Sequence, residues 1–335
     1  MKYKRLGQTD IRVSEIGLGC QSLGGGLYYR SKAESIALVH RALDEGITFF
    51  DTSDHYGQGL SEQWLGEALK GQRHKVVLAT KAGTLYTPLG GLAGRIRPMF
   101  RPLRSVLRPF KRTFHRLRAT QKRQDFSPAY LQRAAEASLR RLKTDYLDVF
   151  QLHKPPAGEL ATGNWPEAMA KLGEQGKIRC YGVSCNEVDD ALLCLDQRGL
   201  ASVQVGLSLL HLDAVLRLLE PARQRSISVI ARNPRAQGYL TADYGDIMAE
   251  TYERSNAEAE RKRQRAMRFS FLATENRTLA QAALLFVLGL PGVTTSLPRA
   301  VNMSQLSENV GALLAQPLTA AEIDEIRALQ LEISL

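Results

Sequence analysis

The stretch FFDTSDHYGQGLSEQWLGEAL, residues 49 to 69, gives the clearest indication of the fold. It begins as a short apolar run of the strand type and continues with a helical pattern. A carboxylate, Asp51, and a phenol, Tyr56, stand between the two. Because an acid and a phenol at the tip of a buried strand can exchange protons with a bound molecule, this stretch predicts both a strand-then-helix unit and a site of proton chemistry.

The same strand-then-helix unit recurs along the chain. The apolar runs of strand length are SEIGLGC from Ser14, TFFDTS from Thr48, VVLATK from Val76, YLDVFQLH from Tyr146, IRCYGVSC from Ile178, ASVQVGLSLL from Ala201, SVIARN from Ser228 and VTTSLP from Val293. Helical patterns lie between them, and strands that alternate with helices are typical of parallel sheets. Eight such units predict an α/β protein with a closed (β/α)8 TIM barrel.

Several helices carry recognisable start signals. Ser31 with Glu34, Asn164 with Glu167 and Thr278 with Gln281 are typical of capping boxes, Ser127 before Pro128 is typical of an N-cap, and a last capping-box helix is predicted from Thr319. At the other end of the chain, KYKRLG and IRVSEI predict a small β-hairpin. We expect this N-terminal hairpin to cap the lower mouth of the barrel.

An open doubly wound sheet is the alternative, since GLGCQS at Gly17 begins like a dinucleotide-binding fingerprint. The third small residue of that fingerprint is missing, and no helical pattern follows at once. Barrel enzymes place their chemistry at the carboxyl ends of the strands, which is where Asp51, Lys81 and His153 are predicted. The barrel therefore agrees with both the topology and the chemistry.

Length and composition favour one domain over residues 1–335. With 335 residues and 44% hydrophobic residues, the chain can bury the core of one α/β barrel. The first residues are polar, unlike a signal peptide, and the longest apolar runs, such as AALLFVLGL from Ala282, are shorter than a membrane span. The four cysteines form no CxxC pair, which favours reduced thiols. We therefore expect a cytoplasmic protein without a metal site.

The net charge of +11 comes from one segment of the chain. Residues 95–123 contain eleven Lys or Arg and no acid, so the rest of the chain balances at 34 basic and 34 acidic residues. A local excess without a base-reading motif does not indicate a nucleic-acid-binding protein. We interpret the segment as part of an insertion after the third barrel strand, at about residues 84–124.

This basic segment resembles an amphipathic helix interrupted by Pro98, Pro102 and Pro109. It follows Lys81 closely, which places it on the active-site face of the barrel. Three interpretations remain open at this stage. The segment is a lid whose arginines attract an anionic substrate, a solvated cover that packs on the barrel, or a patch that contacts anionic membrane as a peripheral protein.

Four polar side chains at predicted strand ends form a chemically complete set. A carbonyl that accepts hydride needs a proton on its oxygen, and Tyr56 is the phenol available to supply it. A nearby cation, Lys81, would favour the phenolate and lower the pKa of the phenol, while Asp51 would keep that lysine charged and oriented. His153 can donate a hydrogen bond to the substrate oxygen and orient the carbonyl. These residues are the predicted catalytic set.

The chain also resembles a known family in a series of short motifs. They are FDTSDHYGQGLSE from Phe50, TK at Thr80, DFSPAYLQRAAEASLRRLKTDYLDVFQLH from Asp125, GVS from Gly182, VQ from Val203, PxAQGYL from Pro234, TLAQAAL from Thr278 and QLxEN from Gln305. In this order, nearly end to end, they resemble the aldo-keto reductases. The resemblance implies reduction of an aldehyde or ketone to an alcohol, with the same four roles for Asp51, Tyr56, Lys81 and His153.

The resemblance further implies a nicotinamide dinucleotide as the hydride donor, because no side chain supplies hydride. Ser184 and Gln204 match positions that hold the carboxamide, and Arg232 stands where many relatives stack a tyrosine on the ring. The matching pyrophosphate loop contains Asn233, Pro234, Arg235, Gln237 and Gly238. The remaining cofactor-binding matches are Pro298, Arg299, Gln305, Glu308 and Asn309, of which the last three correspond to the adenine end.

The chain departs from the family pattern at three places. Cys185 stands where relatives have an asparagine that binds the carboxamide, so that this hydrogen bond is either absent or supplied by Asn186. Arg235 stands where relatives have a leucine in the pyrophosphate loop. Arg299 occupies a glycine position, and Val301 replaces the basic residue that pairs with the 2′-phosphate of NADP. We expect NADP, with Arg299 as the cation, and keep NAD as the alternative.

Two other classes of function remain as alternatives. A barrel that binds the cofactor but turns over slowly could serve as a regulatory subunit, and the basic segment could dock the protein on a membrane. The complete set of four polar residues favours the enzyme. We therefore predict an oxidoreductase that acts on a small carbonyl substrate, which is anionic if the basic segment is a lid.

Overall fold

The structure, a computed structural model, describes residues 1–24, 31–86, 122–241 and 256–334. The strands are β1 Tyr3–Arg5, β2 Arg12–Ser14, β3 Leu18–Gly19, β4 Phe49–Asp51, β5 Val77–Ala82, β6 Thr84–Tyr86, β7 Lys122–Gln124, β8 Leu147–His153, β9 Ile178–Ser184, β10 Leu200–Gly206, β11 Ser228–Arg232 and β12 Val293–Leu297. The described helices are α1 Lys32–Asp44, α2 Leu60–Ala68, α3 Pro128–Leu142, α4 Ala157–Thr162, α5 Trp165–Glu174, α6 Val188–Leu193, α7 Asp213–Arg217, α8 Leu219–Gln224, α9 Asn256–Met267, α10 Leu279–Gly289, α11 Met303–Gly311 and α12 Ala320–Ser334.

Eight parallel strands form one sheet, in the order β3, β4, β5, β8, β9, β10, β11, β12. The first and last strands meet through isolated parallel bridges, which join Ile16 to Ser296 and Gly19 to Arg299. Each of the eight predicted apolar runs supplies one strand of this sheet. The prediction of a (β/α)8 barrel is therefore confirmed, and the open doubly wound sheet is wrong.

The barrel interior is divided into an apolar lower part and a polar upper part. Phe49, Val77 and Val149, near the amino ends of their strands, belong to one buried apolar cluster. Because side chains alternate along a strand, inward positions further along these strands carry polar groups such as Asp51 and Lys81. The sequence thus places charged groups above an apolar floor.

The N-terminal hairpin covers the apolar lower end of the barrel. β1 and β2 pair antiparallel, with Tyr3 opposite Ser14. Leu6, Ile11 and Val13 of this hairpin are buried in the same cluster as the lower barrel residues. Burial of such side chains contributes roughly 1.5–3 kcal/mol each, so the hairpin closes the lower mouth as predicted.

Most of the predicted helix starts are confirmed. Reciprocal capping boxes join Ser31 to Glu34 and Thr278 to Gln281, and the Ser127 hydroxyl accepts a hydrogen bond from the Tyr130 amide. Asn164 makes no such cap, so that prediction is wrong. Its backbone angles, φ −86° and ψ 18°, differ from the extended conformation in which a cap side chain reaches the N3 amide.

The flanks of the insertion lie side by side. β6 and β7 pair antiparallel, with Thr84 opposite Gln124. Gln124 also donates a hydrogen bond to the carbonyl oxygen of Lys154, the residue after His153. The basic helix predicted within residues 95–123 lies outside the described residues, apart from Lys122 and Arg123, which belong to β7. Among the described helices, none has the length and apolar character to cross a membrane.

Candidate active site

The four predicted catalytic residues meet at the carboxyl end of the barrel. Asp51 and His153 are the last residues of β4 and β8, and Lys81 lies one residue before the end of β5. Tyr56 begins the short helical turn Tyr56–Gly59 that follows β4. Because parallel strands end at the same edge, three strands and one loop bring these side chains together.

Lys81 and Asp51 form a buried ion pair. The Lys81 side chain has no exposed surface, and its ammonium contacts Asp51 Oδ1 and the Thr52 carbonyl oxygen, the latter at 2.9 Å. The other carboxylate oxygen, Oδ2, accepts hydrogen bonds from Gln151 at 3.1 Å and Gln204 at 2.9 Å. Both carboxylate oxygens thus accept hydrogen bonds from buried donors, which fix the position of the charge.

Burial alone would lower the pKa of Lys81, but the charges of Asp51 and Tyr56 and its hydrogen bonds to them hold this pKa above the ordinary value. The lysine therefore remains a cation although no water reaches it. Its ammonium lies 5.2 Å from the centroid of the Tyr56 ring. This position is the one that the sequence predicted for a cation between a carboxylate and a phenol.

The pKa of Tyr56 moves upward. Burial raises it above the ordinary value, while the cations of Lys81 and Arg232 act in the opposite direction. Lys81 has the predicted effect on the phenol, but desolvation outweighs it in the protein without ligand. Tyr56 consequently carries its proton at neutral pH, which is the state that a general acid requires.

His153 is neutral and is held at one ring nitrogen. Its Nδ1 atom lies 3.0 Å from the Ser53 hydroxyl, and its ring packs edge-on against Tyr56 with centroids 5.8 Å apart. Burial and the nearby cation of Lys81 lower the pKa of His153 well below the usual range. A neutral imidazole has one donor and one acceptor, so the tautomer decides which role Nε2 plays.

The residues predicted to bind the nicotinamide carboxamide differ in the direction of their side chains. Ser184 donates to Gln204 Oε1 at 3.0 Å, and both are buried beside Asp51. Cys185, by contrast, is fully buried in the main apolar core, and its thiol lies 4.0 Å from the Val183 carbonyl oxygen. The Cys185 carbonyl oxygen accepts a hydrogen bond from Arg232 at 2.7 Å. Cys185 therefore offers its backbone, and not its side chain, near the site.

The predicted pyrophosphate loop follows β11 and has an unusual backbone. Asn233, Gln237 and Gly238 have positive φ angles of 58°, 63° and 105°. Such conformations cost free energy for non-glycine residues and are found mainly at functional loops. Pro234 is buried at the start of the loop, and the Arg235 guanidinium binds the Arg299 carbonyl oxygen and Glu308 Oε2, the latter at 3.4 Å.

The residues predicted for the adenosine end lie after β12 and on α11. Gln305 accepts from the Val301 amide at 3.0 Å, and the buried Asn309 donates to the Arg299 carbonyl oxygen at 3.3 Å. Glu308 accepts from Thr278 at 3.1 Å. Together with the buried Pro298, these contacts fix the backbone that carries the half-exposed Arg299. The predicted residues are thus gathered along one end of the barrel.

The arrangement fits a ligand with polar groups. Within the described part of the chain, Gln151 Oε1 and Arg232 Nε are buried without a hydrogen-bond partner. Buried polar atoms normally have partners, so an acceptor and a donor left over beside Asp51 and Tyr56 indicate a place where a bound molecule supplies them. An amide such as a carboxamide carries both kinds of group.

Sequence reasoning did not assign a role to three residues that the structure places in the site. Gln151 lies opposite Lys81 in the β5–β8 register and faces the same way as His153, two residues on. Ser53 and Asp54 belong to the same motif as Asp51 and Tyr56 but carried no assigned role. The two-residue periodicity along β8 is a signal that could have found Gln151.

Comparison with known proteins identifies the family to which the chain belongs. The profile of the Aldo/keto reductase family matches residues 15–331. The uncharacterized oxidoreductase YqkF of Bacillus subtilis is 30% identical over 334 residues, which cover 98% of this chain and 96% of that protein. The chain therefore belongs to the Aldo/keto reductase family, a family of oxidoreductases.

Solved structures with similar folds include two from this family. The holo form of aldo-keto reductase AKR11C1 from Bacillus halodurans superimposes with a TM-score of 0.78 at 29% identity, covering 98% of this chain and 96% of that one. The apo form of the same protein superimposes with a TM-score of 0.69 at 30% identity. An aldo/keto reductase from Klebsiella pneumoniae in complex with NADP and acetate gives 0.69 at 26% identity, with 98% and 95% covered.

Proposed function

We propose that this protein reduces an aldehyde or ketone to an alcohol by direct hydride transfer from NAD(P)H. One observation carries the proposal: a buried lysine cation lies between a carboxylate and a protonated phenol, next to a neutral imidazole. These groups match the charge changes of carbonyl reduction, in which the oxygen gains negative charge and then a proton.

Each residue of the set has a distinct role in the proposal. Tyr56 is the general acid that gives its proton to the carbonyl oxygen. Lys81 stabilises the phenolate that remains, which lowers the free-energy cost of the proton transfer. Asp51 keeps Lys81 charged and in place, and His153 orients the carbonyl through a hydrogen bond. The apolar lower barrel excludes water from beneath the reacting groups.

Residues around the upper barrel would hold the cofactor. We assign Ser184, Gln204 and Arg232 to the nicotinamide end, the loop from Asn233 to Gly238 to the pyrophosphate, and Gln305 and Asn309 to the adenine end. The bound cofactor supplies hydride, which no side chain can do. Support comes from the unpartnered Arg232 Nε atom and from the NADP complex of the Klebsiella pneumoniae relative.

We propose NADP as the preferred cofactor, with Arg299 as the partner of the 2′-phosphate. Val301 lacks the charge that relatives place there, and the Arg235 guanidinium is buried against Glu308. The half-exposed Arg299 is thus the cation of this region whose backbone is anchored and whose side chain reaches solvent. A charge-assisted pair with a phosphate contributes about 1.5–3 kcal/mol.

Fluorescence titration with NADPH and NADH, side by side, tests this assignment. The wild type is expected to bind NADPH more tightly, and Arg299→Gln to weaken NADPH binding by about ten- to a hundredfold with little change for NADH. Equal weakening of both, or tighter binding of NADH by the wild type, would contradict the assignment and favour NAD.

Turnover of a broad aldehyde such as nitrobenzaldehyde tests the activity itself. Tyr56→Phe is expected to reduce kcat by at least about a hundredfold, because it removes the proton donor and leaves the ring. Tyr3→Phe is the matched control, since Tyr3 is 41% exposed in the hairpin at the opposite end of the barrel. Comparable rates in wild type and Tyr56→Phe would favour the regulatory alternative over the enzyme.

The basic segment supports a finer proposal about the substrate. Its two flanks pair as β6 and β7 directly after β5, and Gln124 is tied to the residue that follows His153. The described ends of the insertion thus lie at the active-site end of the barrel, and residues 95–123 contain eleven Lys or Arg. We propose that they favour a carbonyl substrate that carries a negative charge, such as a carboxylate or phosphate.

The cysteines support a proposal about the compartment. Cys20, Cys180, Cys185 and Cys194 are free and buried. Reduced thiols are typical of proteins that work inside the cell. We propose a cytoplasmic location on this basis.

A further inference from the structure

A short chain of polar groups leads away from His153 on the side opposite the substrate. The Ser53 hydroxyl is fully buried and lies 3.0 Å from His153 Nδ1 and 3.2 Å from Asp54 Oδ1. Its oxygen also accepts a hydrogen bond from the His55 amide at 3.2 Å. Within the described residues, Ser53 is the hydrogen-bond partner of the His153 ring, so Nε2 is left for another molecule.

A serine hydroxyl has one proton and two lone pairs, so it can satisfy this geometry in two ways. It donates either to His153 Nδ1 or to Asp54, and it accepts from the other. A third acceptor in reach is the Lys81 carbonyl oxygen at 3.2 Å, which also accepts from the Asp54 amide at 3.1 Å, but an ionised carboxylate is a stronger acceptor than a carbonyl oxygen. The direction of the Ser53 proton therefore depends on whether Asp54 presents a proton or a lone pair.

We propose that Asp54 is a positioning residue that selects the tautomer of His153 through Ser53 and so decides whether Nε2 can donate to the substrate carbonyl. The inference rests on the role proposed for His153. When Asp54 is protonated, it donates to Ser53, Ser53 donates to Nδ1, and the ring proton is on Nε2. When Asp54 is ionised, Ser53 donates to Asp54, Nδ1–H donates to Ser53, and Nε2 is bare.

The two arrangements differ by one proton, and the charges around Asp54 place the change near neutral pH. Burial, aided by the charge of Glu62, raises the pKa of Asp54 to about 7, against the opposing effect of Arg141. Tyr130 donates to Oδ2 at 3.2 Å, which leaves Oδ1 and its proton for Ser53. Burial also raises the pKa of Tyr130, so that it remains a donor.

The imidazole itself stays neutral through this change. The charged and titratable groups that face it are Lys81, His55, Lys154, Arg232 and the phenol of Tyr56, which carries its proton. Burial and the first four of these groups lower the pKa of His153 well below its usual range, so protonation of the ring does not compete. The expected sign is therefore a donor at Nε2 below about pH 7, where Asp54 holds its proton, and an acceptor above it.

The test is nitrogen-15 NMR of the histidine rings in the protein without ligand, at pH 6 and pH 8, where long-range proton–nitrogen correlations distinguish the tautomers. His153→Gln identifies the His153 signals. The wild type is expected to change from the Nε2–H to the Nδ1–H form as the pH rises. Asp54→Asn and Ser53→Ala should each abolish the pH dependence, and Asp213→Asn, an exposed control, should behave as the wild type.

The same tautomer at both pH values in the wild type, or an unchanged switch in Ser53→Ala, would overturn the proposal. Ser53→Ala removes one buried oxygen and carries the test if Asp54→Asn does not fold. Because the spectra need no turnover, they separate this inference from the proposed activity. In an active enzyme, wild-type kcat for reduction is expected to fall about tenfold between pH 6 and pH 8, and Ser53→Ala to remove that slope.

Discussion

A lysine without exposed surface, such as Lys81, keeps its charge because several neighbours compensate the loss of water. Asp51 supplies the opposite charge, and Gln151 and Gln204 hold its second oxygen. A buried pair of this kind contributes little net stability, since the attraction only offsets the cost of desolvating two ions. Its value lies in the fixed position of a cation beside Tyr56.

Removal of one partner of this pair is expected to be costly. Asp51→Asn should lower the free energy of unfolding by about 3–5 kcal/mol, because it leaves a buried cation without a countercharge and turns an amide toward two donors. Chemical denaturation measures this loss. Asp51→Asn combined with Lys81→Met should recover a large part of it, and equal losses in the single and double variants would contradict the ion-pair account.

The raised pKa of Asp54 leads to a prediction of how the free energy of unfolding depends on pH. Its folded-state pKa, about 7, is above the ordinary carboxyl value, so between about pH 4 and pH 7 the folded state binds more protons than the unfolded chain. The wild type should therefore lose stability relative to Asp54→Asn as the pH rises through this window, by on the order of 3 kcal/mol, and the difference should level off above it.

Urea denaturation of both proteins at several pH values measures the difference. Asp213→Asn, which removes an exposed carboxylate, should stay within about 0.5 kcal/mol of the wild type throughout. A wild type that gains stability relative to Asp54→Asn between pH 4 and pH 7 would show that the folded-state pKa of Asp54 is not raised.

For single residues of the site, the sequence predicts the chemically distinct side chains better than the residues that hydrogen-bond to them. Asp51, Tyr56, Lys81 and His153 could be predicted because each stands at the end of an apolar run and carries a chemically distinct group. The two-residue periodicity of β8 indicates the position of Gln151 but not its contact with Asp51, and the contacts of Ser53 depend on side-chain directions that no local pattern encodes. The net pKa of Tyr56 was also missed, since it depends on how deeply the phenol is buried.

The helix α2 is linked to the rest of the barrel by a buried carboxylate. Glu62 has no exposed surface and accepts hydrogen bonds from Thr80 on β5 at 2.6 Å and from Arg141 on α3 at 2.5 Å. One side chain thus connects two helices to the strand that carries Lys81. The position of Lys81 depends on this packing as well as on its own hydrogen bonds.

Glu62→Gln is expected to reduce the free energy of unfolding by about 3 kcal/mol, because Arg141 loses its buried countercharge. Thermal or chemical denaturation gives the value. Glu67→Gln, on the same helix but with a partly exposed side chain, is the control and should change little. Similar effects of the two substitutions would mean that Glu62 does not connect these elements.

The start of a helix can be predicted from its capping residue where the backbone of that residue is extended. Ser31 and Thr278 fulfil this condition and cap their helices as predicted. Asn164 has the right side chain, but its backbone is not extended, and a sequence pattern does not reveal that difference. The strands were easier to predict, because buried parallel strands are continuous apolar runs.

For the whole molecule, eight repeated units and the direction of the strands sufficed to predict a closed barrel with its site at the carboxyl ends. The insertion was visible as a local charge excess, and its flanks are paired in β6 and β7. The loops that form the walls of a substrate pocket follow no fixed sequence pattern, so that the substrate cannot be predicted from periodicity. The net charge of residues 95–123, however, can be counted directly from the sequence.

The basic segment gives a prediction at this scale. Replacement of Arg104, Arg108, Arg112 and Arg116 by glutamine should lower the ratio of kcat/KM for a carboxylate-bearing benzaldehyde over nitrobenzaldehyde by about tenfold. Rising salt should lower this ratio in the wild type and leave the variant unchanged, because salt screens long-range attraction.

A control variant separates local from overall charge. Replacement of Arg217, Arg223, Arg225 and Arg327, which are exposed, removes the same charge elsewhere and should leave the ratio unchanged. A ratio that does not respond to the replacements in the basic segment would contradict the proposal of an anionic substrate. Sedimentation with anionic liposomes, with and without residues 95–123, then tests the membrane alternative.

The most direct test of the central claim is a single-turnover experiment with NADPH that carries deuterium at the transferred position. We expect deuterium on the carbinol carbon of the alcohol formed by the wild type, and a rate at least about a hundredfold slower in Tyr56→Phe, with NADPH still bound. An alcohol without deuterium, or a Tyr56→Phe variant that reacts at the wild-type rate, would contradict direct hydride transfer with Tyr56 as the acid.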